Sequence, residues 1–191
     1  MKAILLLLFS MALSGISEAQ VKYASNSGVK IIVDGTSNIH DWKMESSKGS
    51  CSGSITLDAS GNLTAINGLT FSVAIASLKS EHGSQMDNNA YKAMASDKYP
   101  NITFSAASAT ITPKGGGTYT ISAPGKLQIS SGTQNVTLVA NAKVNADKSI
   151  SFDGIYKLVT TDYNVKPISI MLGAIKTSAK VSVSYVFVMK P

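Results

Sequence analysis

Apolar residues recur at every second position through most of the chain after Val29, and this alternation restricts the possible folds more than any other feature. Successive side chains of a β-strand point to opposite faces, so a period of two predicts strands with one buried face and not amphipathic helices. The clearest runs are Leu69, Phe71, Val73 and Ile75; Val136, Leu138, Ala140, Ala142 and Val144; Ile150, Phe152, Gly154, Tyr156 and Leu158; and Val181, Val183, Tyr185 and Phe187. The chain is therefore predicted to be all-β.

Short segments rich in Gly, Asn, Asp and Ser separate these runs and predict turns. They lie at residues 58–62, 114–117, 131–132 and 145–148. We expect about eight or nine strands joined mostly by short hairpins, which make neighbouring strands antiparallel. Such a meander closes most simply as an up-and-down barrel. A sandwich of two sheets would show the same periodicity, so the alternation by itself leaves both architectures open.

Two segments depart from the strand pattern. Between residues 84 and 99, Met86, Ala90, Tyr91, Met94 and Ala95 fall three or four positions apart, which predicts one amphipathic helix that ends before Pro100 and closes one end of the barrel. Residues 160–177 carry apolar residues that follow no period, which is typical of a loop packed over the protein in the manner of a lid: Tyr163, Pro167, Ile168, Ile170, Met171 and Leu172. The chain shows no internal repeat and no linker, so residues 20–191 are predicted to form a single domain.

The first 19 residues have the pattern of an export signal. Lys2 supplies a positive start, residues 3–13 are apolar, and Ser17 and Ala19 are the small residues that a signal peptidase requires. The apolar run is shorter than the roughly 20 residues that a membrane-spanning helix needs, so a transmembrane anchor is the less favoured interpretation. We expect residues 1–19 to be removed, leaving a mature protein that begins at Gln20, is periplasmic or secreted, and has no permanent membrane anchor.

Charge and rare residues argue against several classes of function. The 17 basic residues are all lysines and give a net charge of +6, but arginine, which most nucleic-acid readers use, is absent. Cys51 is the single cysteine, and no Cys/His spacing resembles a metal site. His40 and Asp41 are adjacent, so on a strand they would point to opposite faces and could not act together. We expect no nucleic-acid partner, metal, cofactor or catalytic residue, and no enzyme activity.

Several short runs carry a resemblance to a known family. They are residues 33–42 (VDGTSNIHDW), 86–94 (MDNNAYKAM), 98–104 (KYPNITF), 125–129 (GKLQI), 134–138 (QNVTL) and 161–167 (TDYNVKP) with Leu172 and Gly173. In order, they resemble the opening hairpin, the helix, the strand after it, the central hairpin and the segment before the last strand of the YceI-like family. The Lys-Tyr-Pro turn into a strand is the most specific of these features.

The resemblance implies a lipocalin-like, eight-stranded antiparallel up-and-down barrel with one short helix capping an end. It also implies an apolar interior that holds a polyisoprenoid or similar long lipid, export to the periplasm, and no catalytic residues. The inward faces of the predicted strands and helix supply the candidate lining residues. These are Trp42, Phe71, Val73, Ile75, Met86, Tyr91, Met94, Ile102, Phe104, Tyr119, Ile121, Leu138, Phe152, Tyr156 and Tyr185.

The leading hypothesis is an exported lipid-binding protein that carries or sequesters a long isoprenoid chain. At about 0.8 kcal/mol for each buried CH₂, one five-carbon isoprene unit contributes roughly 3–4 kcal/mol, so a few units can exceed association costs of roughly 4–15 kcal/mol without a charged anchor. The alternative is a structural or protein-interaction barrel whose aromatic side chains fill the interior and leave no room for a ligand. The sequence predicts neither the identity of the lipid nor an oligomeric state.

Overall fold

The computed structural model describes residues 20–191, and the predicted signal peptide lies outside the described residues. The strands are β1 (Val21–Ser37), β2 (Asp41–Leu57), β3 (Leu63–Ala74), β4 (Lys79–Ser80), β5 (Asn101–Ser108), β6 (Thr110–Gly115), β7 (Thr118–Ile129), β8 (Gly132–Val144), β9 (Ile150–Val159), β10 (Ser169–Ile170) and β11 (Ile175–Met189). Helix α1 spans Ser84–Ala93, and 3-10 helices span Ile75–Ser77, Thr160–Tyr163 and Met171–Gly173.

The long strands form one closed antiparallel barrel. Around the ring the order is β1, β2, β3, β5, β7, β8, β9 and β11, and β11 pairs with β1 to close it. Strand β6 continues β5 along the same neighbour, β7, while the two-residue strands β4 and β10 pair with β2 and β11. Each barrel strand pairs with the one before it in sequence, which confirms the predicted eight-stranded up-and-down barrel and excludes the two-sheet sandwich.

The alternation in the sequence determines which side chains face inward. On β9, Ile150 and Phe152 are buried while Asp153 and Ile155 are exposed, as a period of two requires. Antiparallel register places Phe152 opposite Phe187 of β11, and their rings stack with centroids 5.0 Å apart. Inward-facing residues of neighbouring strands therefore meet in the barrel interior, as the sequence predicts.

One end of the barrel, here called the helix end, carries α1, the turn at residues 38–40 and the loop at residues 160–174. The opposite end, here called the closed end, carries the turns at residues 58–62, 116–117 and 145–149 and the last residues of the chain, where Ala24 pairs with Lys190. The helix spans Ser84–Ala93, within the predicted segment of residues 84–99, and ends well before Pro100. It stops there because Ala95 has a left-handed backbone with φ of 49° and cannot continue a right-handed helix.

The loop between β9 and β11 is partly buried and partly exposed. Tyr163 and Val165 are buried against the barrel, whereas Met171 and Leu172 project into solvent. None of the helices within residues 20–191 is both long and apolar enough to cross a bilayer.

Candidate functional site

The barrel interior is solid at the closed end. Inward-facing side chains there are at most 4% exposed and belong to one apolar cluster: Tyr23, Ile55, Leu63, Ile66, Tyr119, Ile150 and Met189. Both tyrosine hydroxyls are satisfied by backbone groups. The Tyr23 hydroxyl donates to the Lys148 carbonyl at 3.0 Å, and the Tyr119 hydroxyl accepts from the Leu63 amide at 3.1 Å. This half of the interior has the packing of an ordinary hydrophobic core.

Between the packed closed end and the helix end, the barrel interior contains a cavity of about 150 Å³, here called the central cavity. Among its lining residues, Phe71, Leu138, Tyr156, Val183 and Tyr185 are only half-buried although they face the inside of a closed barrel. The surface that they leave accessible therefore faces free space inside the protein. Side chains that fill the closed end do not fill this half.

A second cavity of about 120 Å³, here called the upper cavity, lies between the central cavity and the helix end. Its walls include Trp42 from β2, Ala90 and Met94 from the helix segment, and residues 165–168 of the long loop. Six residues line both cavities: Val33, Leu78, Ile102, Ile129, Leu158 and Val183. The two cavities therefore adjoin each other, and together they extend from the middle of the barrel to the underside of the helix.

No charged side chain lines the central cavity among the described residues. Its polar side-chain atoms belong to Cys51, Tyr156 and Tyr185. Burial raises the pKa of the Cys51 thiol to about 12 and, together with the charge of Asp153, the pKa of Tyr185 to about 12. The space is therefore neutral as well as apolar, which suits a hydrocarbon and excludes a charged group from its interior.

All three polar groups have partners within the protein, and the Cys51 thiol donates to the Met189 sulfur at 4.0 Å. The Tyr185 ring lies directly over Gly154, where a Cβ would collide with it, and its hydroxyl donates to the Val139 carbonyl at 3.0 Å. The Tyr156 hydroxyl lies beside Tyr163; burial, with Tyr156 as a further contribution, raises the pKa of Tyr163. Tyr156 also lines the central cavity, so it links the cavity wall to the buried Tyr163.

The helix that roofs the upper cavity is fixed by polar contacts with residues 78–80. The buried carboxylate of Asp87 accepts a hydrogen bond from the Ser80 amide at 2.7 Å and lies 3.3 Å from the Lys79 ammonium. The Tyr91 hydroxyl accepts from Lys79 at 2.9 Å and donates to the Leu78 carbonyl at 2.6 Å. The hydrogen bond to Tyr91, followed by the contact with Asp87, raises the pKa of Lys79. Displacing the roof requires breaking these contacts together.

The barrel wall is incomplete between β8 and β9. Their ladder extends only from Ala140 opposite Gly154 to Val144 opposite Ile150, and towards the helix end the two strands are not paired. The 3-10 helix Thr160–Tyr163 covers this gap: its Asp162 carbonyl accepts from the side-chain Nε2 of Gln134 at 2.7 Å, and the Tyr163 backbone packs directly on Gly132. A surface groove of about 850 Å³ runs past both edges of the gap.

Many of the residues predicted to line a cavity do so. The central cavity is lined by Phe71, Val73, Ile102, Phe104, Ile121, Leu138, Phe152, Tyr156 and Tyr185. The upper cavity is lined by Trp42, Met94 and, again, Ile102. Trp42 lies over Gly35, where a Cβ would collide with its ring, and donates from Nε1 to the Thr36 carbonyl at 3.1 Å. The single tryptophan therefore lies in a fixed position on the wall of the upper cavity.

Four predicted residues line neither cavity. Ile75 is fully buried in the 3-10 helix after β3, and Met86 is half-buried on α1. Tyr91 uses its hydroxyl to fix the helix, and Tyr119 belongs to the packed closed end. Both tyrosines therefore have structural contacts in place of a position on a cavity wall.

Sequence reasoning missed other lining residues, among them Leu158, Val183 and Phe187. These three share period-two faces with Tyr156 or Tyr185, so the signal for them was present in the alternation. Leu78 and Ile129, which line both compartments, lie next to turns, where the alternation gives no indication.

The two histidines lie together outside the barrel. Their ring centroids are 4.8 Å apart, both side chains are exposed, and His40 Nδ1 lies 2.7 Å from the Asp41 carbonyl oxygen. Across residues 20–191, no three His, Cys, Asp or Glu side chains are close enough together to hold a metal ion.

Comparison with known proteins relates this architecture to solved structures. The crystal structure of BcnA from Burkholderia cenocepacia aligns with a TM-score of 0.57 and 18% identity, covering 84% of this chain and 95% of that one. A polyisoprenoid-binding domain from Saccharophagus degradans, implicated in plant cell wall breakdown, aligns with a TM-score of 0.64 and 9% identity, covering 88% and 97%. At these identities the similarity concerns the fold alone.

Sequence comparison is more specific about the family. No curated protein sequence gives a significant match to this chain. The family model for the YceI-like domain, however, matches residues 20–189, which is nearly all of the described chain. This match confirms the resemblance found in the sequence runs: the chain belongs to the YceI-like domain family.

Proposed function

We propose that this protein is an exported lipid-binding protein that holds a polyisoprenoid or similar long apolar chain inside its barrel, for carriage or sequestration. The observation that carries the proposal is the largely apolar interior that side chains leave unfilled in the half nearer the helix, where the central cavity has no charged wall residue. The domain from Saccharophagus degradans, which has the same fold, is a polyisoprenoid-binding domain, and this supports the same class of ligand here.

The size of the cavities limits how such a chain is held. A cavity of about 150 Å³ accommodates a benzene-sized molecule. A chain of several isoprene units therefore has to extend through both compartments towards the helix end, and half-buried side chains such as Phe71 and Leu138 have to change rotamer. At roughly 3–4 kcal/mol for each buried five-carbon unit, such rearrangements are affordable energetically, since an off-rotamer side chain costs about 1 kcal/mol.

The polarity of the interior defines how the ligand is oriented. The central cavity has no charged wall residue, whereas Lys166 of the long loop lines the upper cavity. A hydrocarbon tail in the central cavity and a polar head near the helix end match this difference, because burying an unpaired charge is unfavourable. We propose binding without covalent chemistry, since no side chain in the central cavity is arranged with another as a nucleophile and base.

Native mass spectrometry of the protein purified from its own cells without detergent tests the proposal. A retained lipid appears as an added mass. Polyprenols of increasing length, titrated into delipidated protein, should change the emission of Trp42, because this single tryptophan lines the upper cavity. A folded protein with no added mass and no change in emission would support the alternative, a structural or protein-interaction barrel.

Export is tested separately by amino-terminal sequencing of the extracytoplasmic protein. We expect the mature chain to begin at Gln20, because Ser17 and Ala19 form the best pair of small residues after the apolar run. A mature protein that retains Leu5–Leu8 would contradict cleavage, and a protein confined to the cytoplasm would contradict the proposed location.

A further inference from the structure

Three large apolar side chains project into solvent from two loops at the helix end. Leu172 is fully exposed, Met171 is 71% exposed and Ile39 is 59% exposed. Met171 and Leu172 have left-handed backbones, with φ of 52° and 55°, a conformation that residues other than Gly, Asn and Asp seldom adopt. In this conformation neither side chain is buried against the barrel, and both point into solvent.

The two loops are tied together by one side chain. The amide nitrogen of Asn38 donates to the Ala174 carbonyl at 2.8 Å, and its amide oxygen accepts from the backbone of Lys176 at 2.8 Å. The backbone amide of Asn38 also donates to the Lys176 carbonyl at 3.1 Å. Ile39 and the Met171–Gly173 turn therefore form one surface, here called the apolar tip, defined by Ile39, Met171 and Leu172.

The long loop carries only lysines as charged residues beside the apolar tip. Residues 163–176 contain Lys166 and Lys176 but no carboxylate, and both lysines are exposed. The Lys176 side chain lies against Gly173, next to Leu172. On the other side of the tip, Asp41 is exposed two residues after Ile39, and Glu81 lies 4.0 Å from Lys43. Aliphatic side chains bordered by lysines are characteristic of surfaces that insert shallowly into membranes with anionic lipids.

The apolar tip belongs to the same loop as part of the upper cavity wall. Lys166, Pro167 and Ile168 line that cavity, and the loop then continues through β10 to Met171 and Leu172. A surface that contacts the tip is therefore close to the upper cavity. A polyprenol that passed from a bilayer into this cavity would cross little water.

From this arrangement we propose that the helix end docks on an anionic lipid bilayer, with Ile39, Met171 and Leu172 inserted among the lipid head groups and acyl chains and with Lys166 and Lys176 at the head-group level. The proposal rests on the lipid-binding function proposed above and adds the membrane as the source or destination of the ligand. A bilayer fits better than a protein partner, because side chains that protrude singly from loops match a fluid phase and need no complementary pockets.

Sedimentation with vesicles tests docking in the mature protein. We expect binding to vesicles of phosphatidylethanolamine and phosphatidylglycerol, weaker binding at high salt, and little binding to phosphatidylcholine alone. The variants Ile39→Asn and Leu172→Asn should each weaken binding by roughly tenfold or more, since each removes an aliphatic side chain from the lipid phase. Replacing Lys166 and Lys176 with Gln should lower affinity roughly fivefold for each lysine on anionic vesicles.

The matched control is Ile155→Asn. Ile155 is 63% exposed, close to the value for Ile39, but it lies on the outer wall of β9 in the middle of the barrel. This variant should bind vesicles as the unmodified protein does. Equal losses for Ile155→Asn and Ile39→Asn, or no vesicle binding at all, would overturn docking by the apolar tip.

Transfer of a polyprenol from vesicles links docking to the proposed function. Geranylgeraniol in the vesicles should reach the barrel and change Trp42 emission, with empty vesicles as the blank, and Leu172→Asn should slow this transfer without changing the equilibrium affinity for geranylgeraniol added from solution. Unchanged transfer by Leu172→Asn together with intact polyprenol binding would refute docking and leave the lipid-binding proposal in place. Vesicle docking without any polyprenol binding would refute the lipid-binding proposal and leave the docking surface.

Discussion

The two halves of this barrel are built from the same strands and the same alternating pattern, yet one is solid and the other is hollow. At the closed end, Ile55, Tyr119 and Ile150 meet across the interior and exclude solvent. Nearer the helix, Leu138, Tyr156 and Val183 face the same interior and remain half-buried around a cavity. Alternation determines which way a side chain points; whether the space is filled depends on the volumes that meet across the barrel.

The largest expected effect comes from removing volume at the closed end. Ile150 has no exposed surface, so Ile150→Ala should leave a void and lower the free energy of unfolding by about 2–5 kcal/mol. Urea denaturation measures the loss, and polyprenol affinity should stay the same because Ile150 lines neither cavity. A loss of unfolding free energy smaller than that caused by Leu138→Ala in the hollow half would contradict the division into two halves.

A smaller effect is expected at the roof of the upper cavity. Asp87→Asn removes the charge that pairs with Lys79 and weakens the acceptor of the Ser80 amide, which should cost about 1–3 kcal/mol. Polyprenol uptake, followed by Trp42 emission, should become faster because the helix is held less firmly. Asp97→Asn, on an exposed residue just after the helix, is the control. If both variants behaved alike, the polar contacts of Asp87 would not be what fixes the roof.

Truncation in the hollow half should cost less than at the closed end. Leu138 already borders free space, so Leu138→Ala should lower the free energy of unfolding by about 1 kcal/mol or less. It should instead shift the preferred polyprenol length, because side-chain volume sets the space available to the ligand. Urea denaturation and Trp42 titration on the same sample separate the two effects. A loss as large as that of Ile150→Ala, with no change in ligand preference, would indicate a filled interior.

The smallest expected effect is an acid-sensitive loosening of the turns at the closed end. Hydrogen bonds from Asn62 lower the pKa of Asp58, and those from Ser149 lower the pKa of Asp147. A carboxyl whose folded pKa lies below its unfolded value near 3.9 stabilises the fold above that pH, and the contribution disappears as the pH falls through the folded pKa.

Amide hydrogen exchange at Asn62 and Ser149 detects this loosening. Both backbone amides donate to these carboxylates, at 2.8 Å to Asp58 and 3.0 Å to Asp147. Their protection should fall below about pH 4, after correction for intrinsic rates, while residues around the cavities keep theirs. Asp58→Asn should remove most of this pH dependence at Asn62. Protection that stays constant down to the folded pKa would show that the carboxylates do not fix these turns.

The strands and turns could be predicted from the sequence because period-two faces and turn residues are local signals, whereas the eight-stranded barrel was implied by the family resemblance. The residues that line the cavities were harder to predict from the sequence, as two tyrosines illustrate. Tyr119 and Tyr156 both face inward on strands, but Tyr119 meets the Leu63 amide at the packed end whereas Tyr156 borders the cavity. Tyr91 lies on the predicted helix face, yet its hydroxyl is taken up by the Leu78 carbonyl. These differences arise from neighbours distant in sequence, which periodicity does not specify.

The unpaired stretch between β8 and β9 also affects how the protein unfolds. A closed barrel opens most easily where two neighbouring strands share few backbone hydrogen bonds. Strands β8 and β9 are paired along only part of their length, from Ala140 to Val144 on β8. The 3-10 helix that spans the remainder is held chiefly by Gln134, Asn164 and the packing of Tyr163 on Gly132. Thermal fluctuations should therefore separate this seam before the longer β7–β8 and β9–β11 ladders, turning the ring into a curled open sheet whose hollow half is exposed before its solid half unfolds.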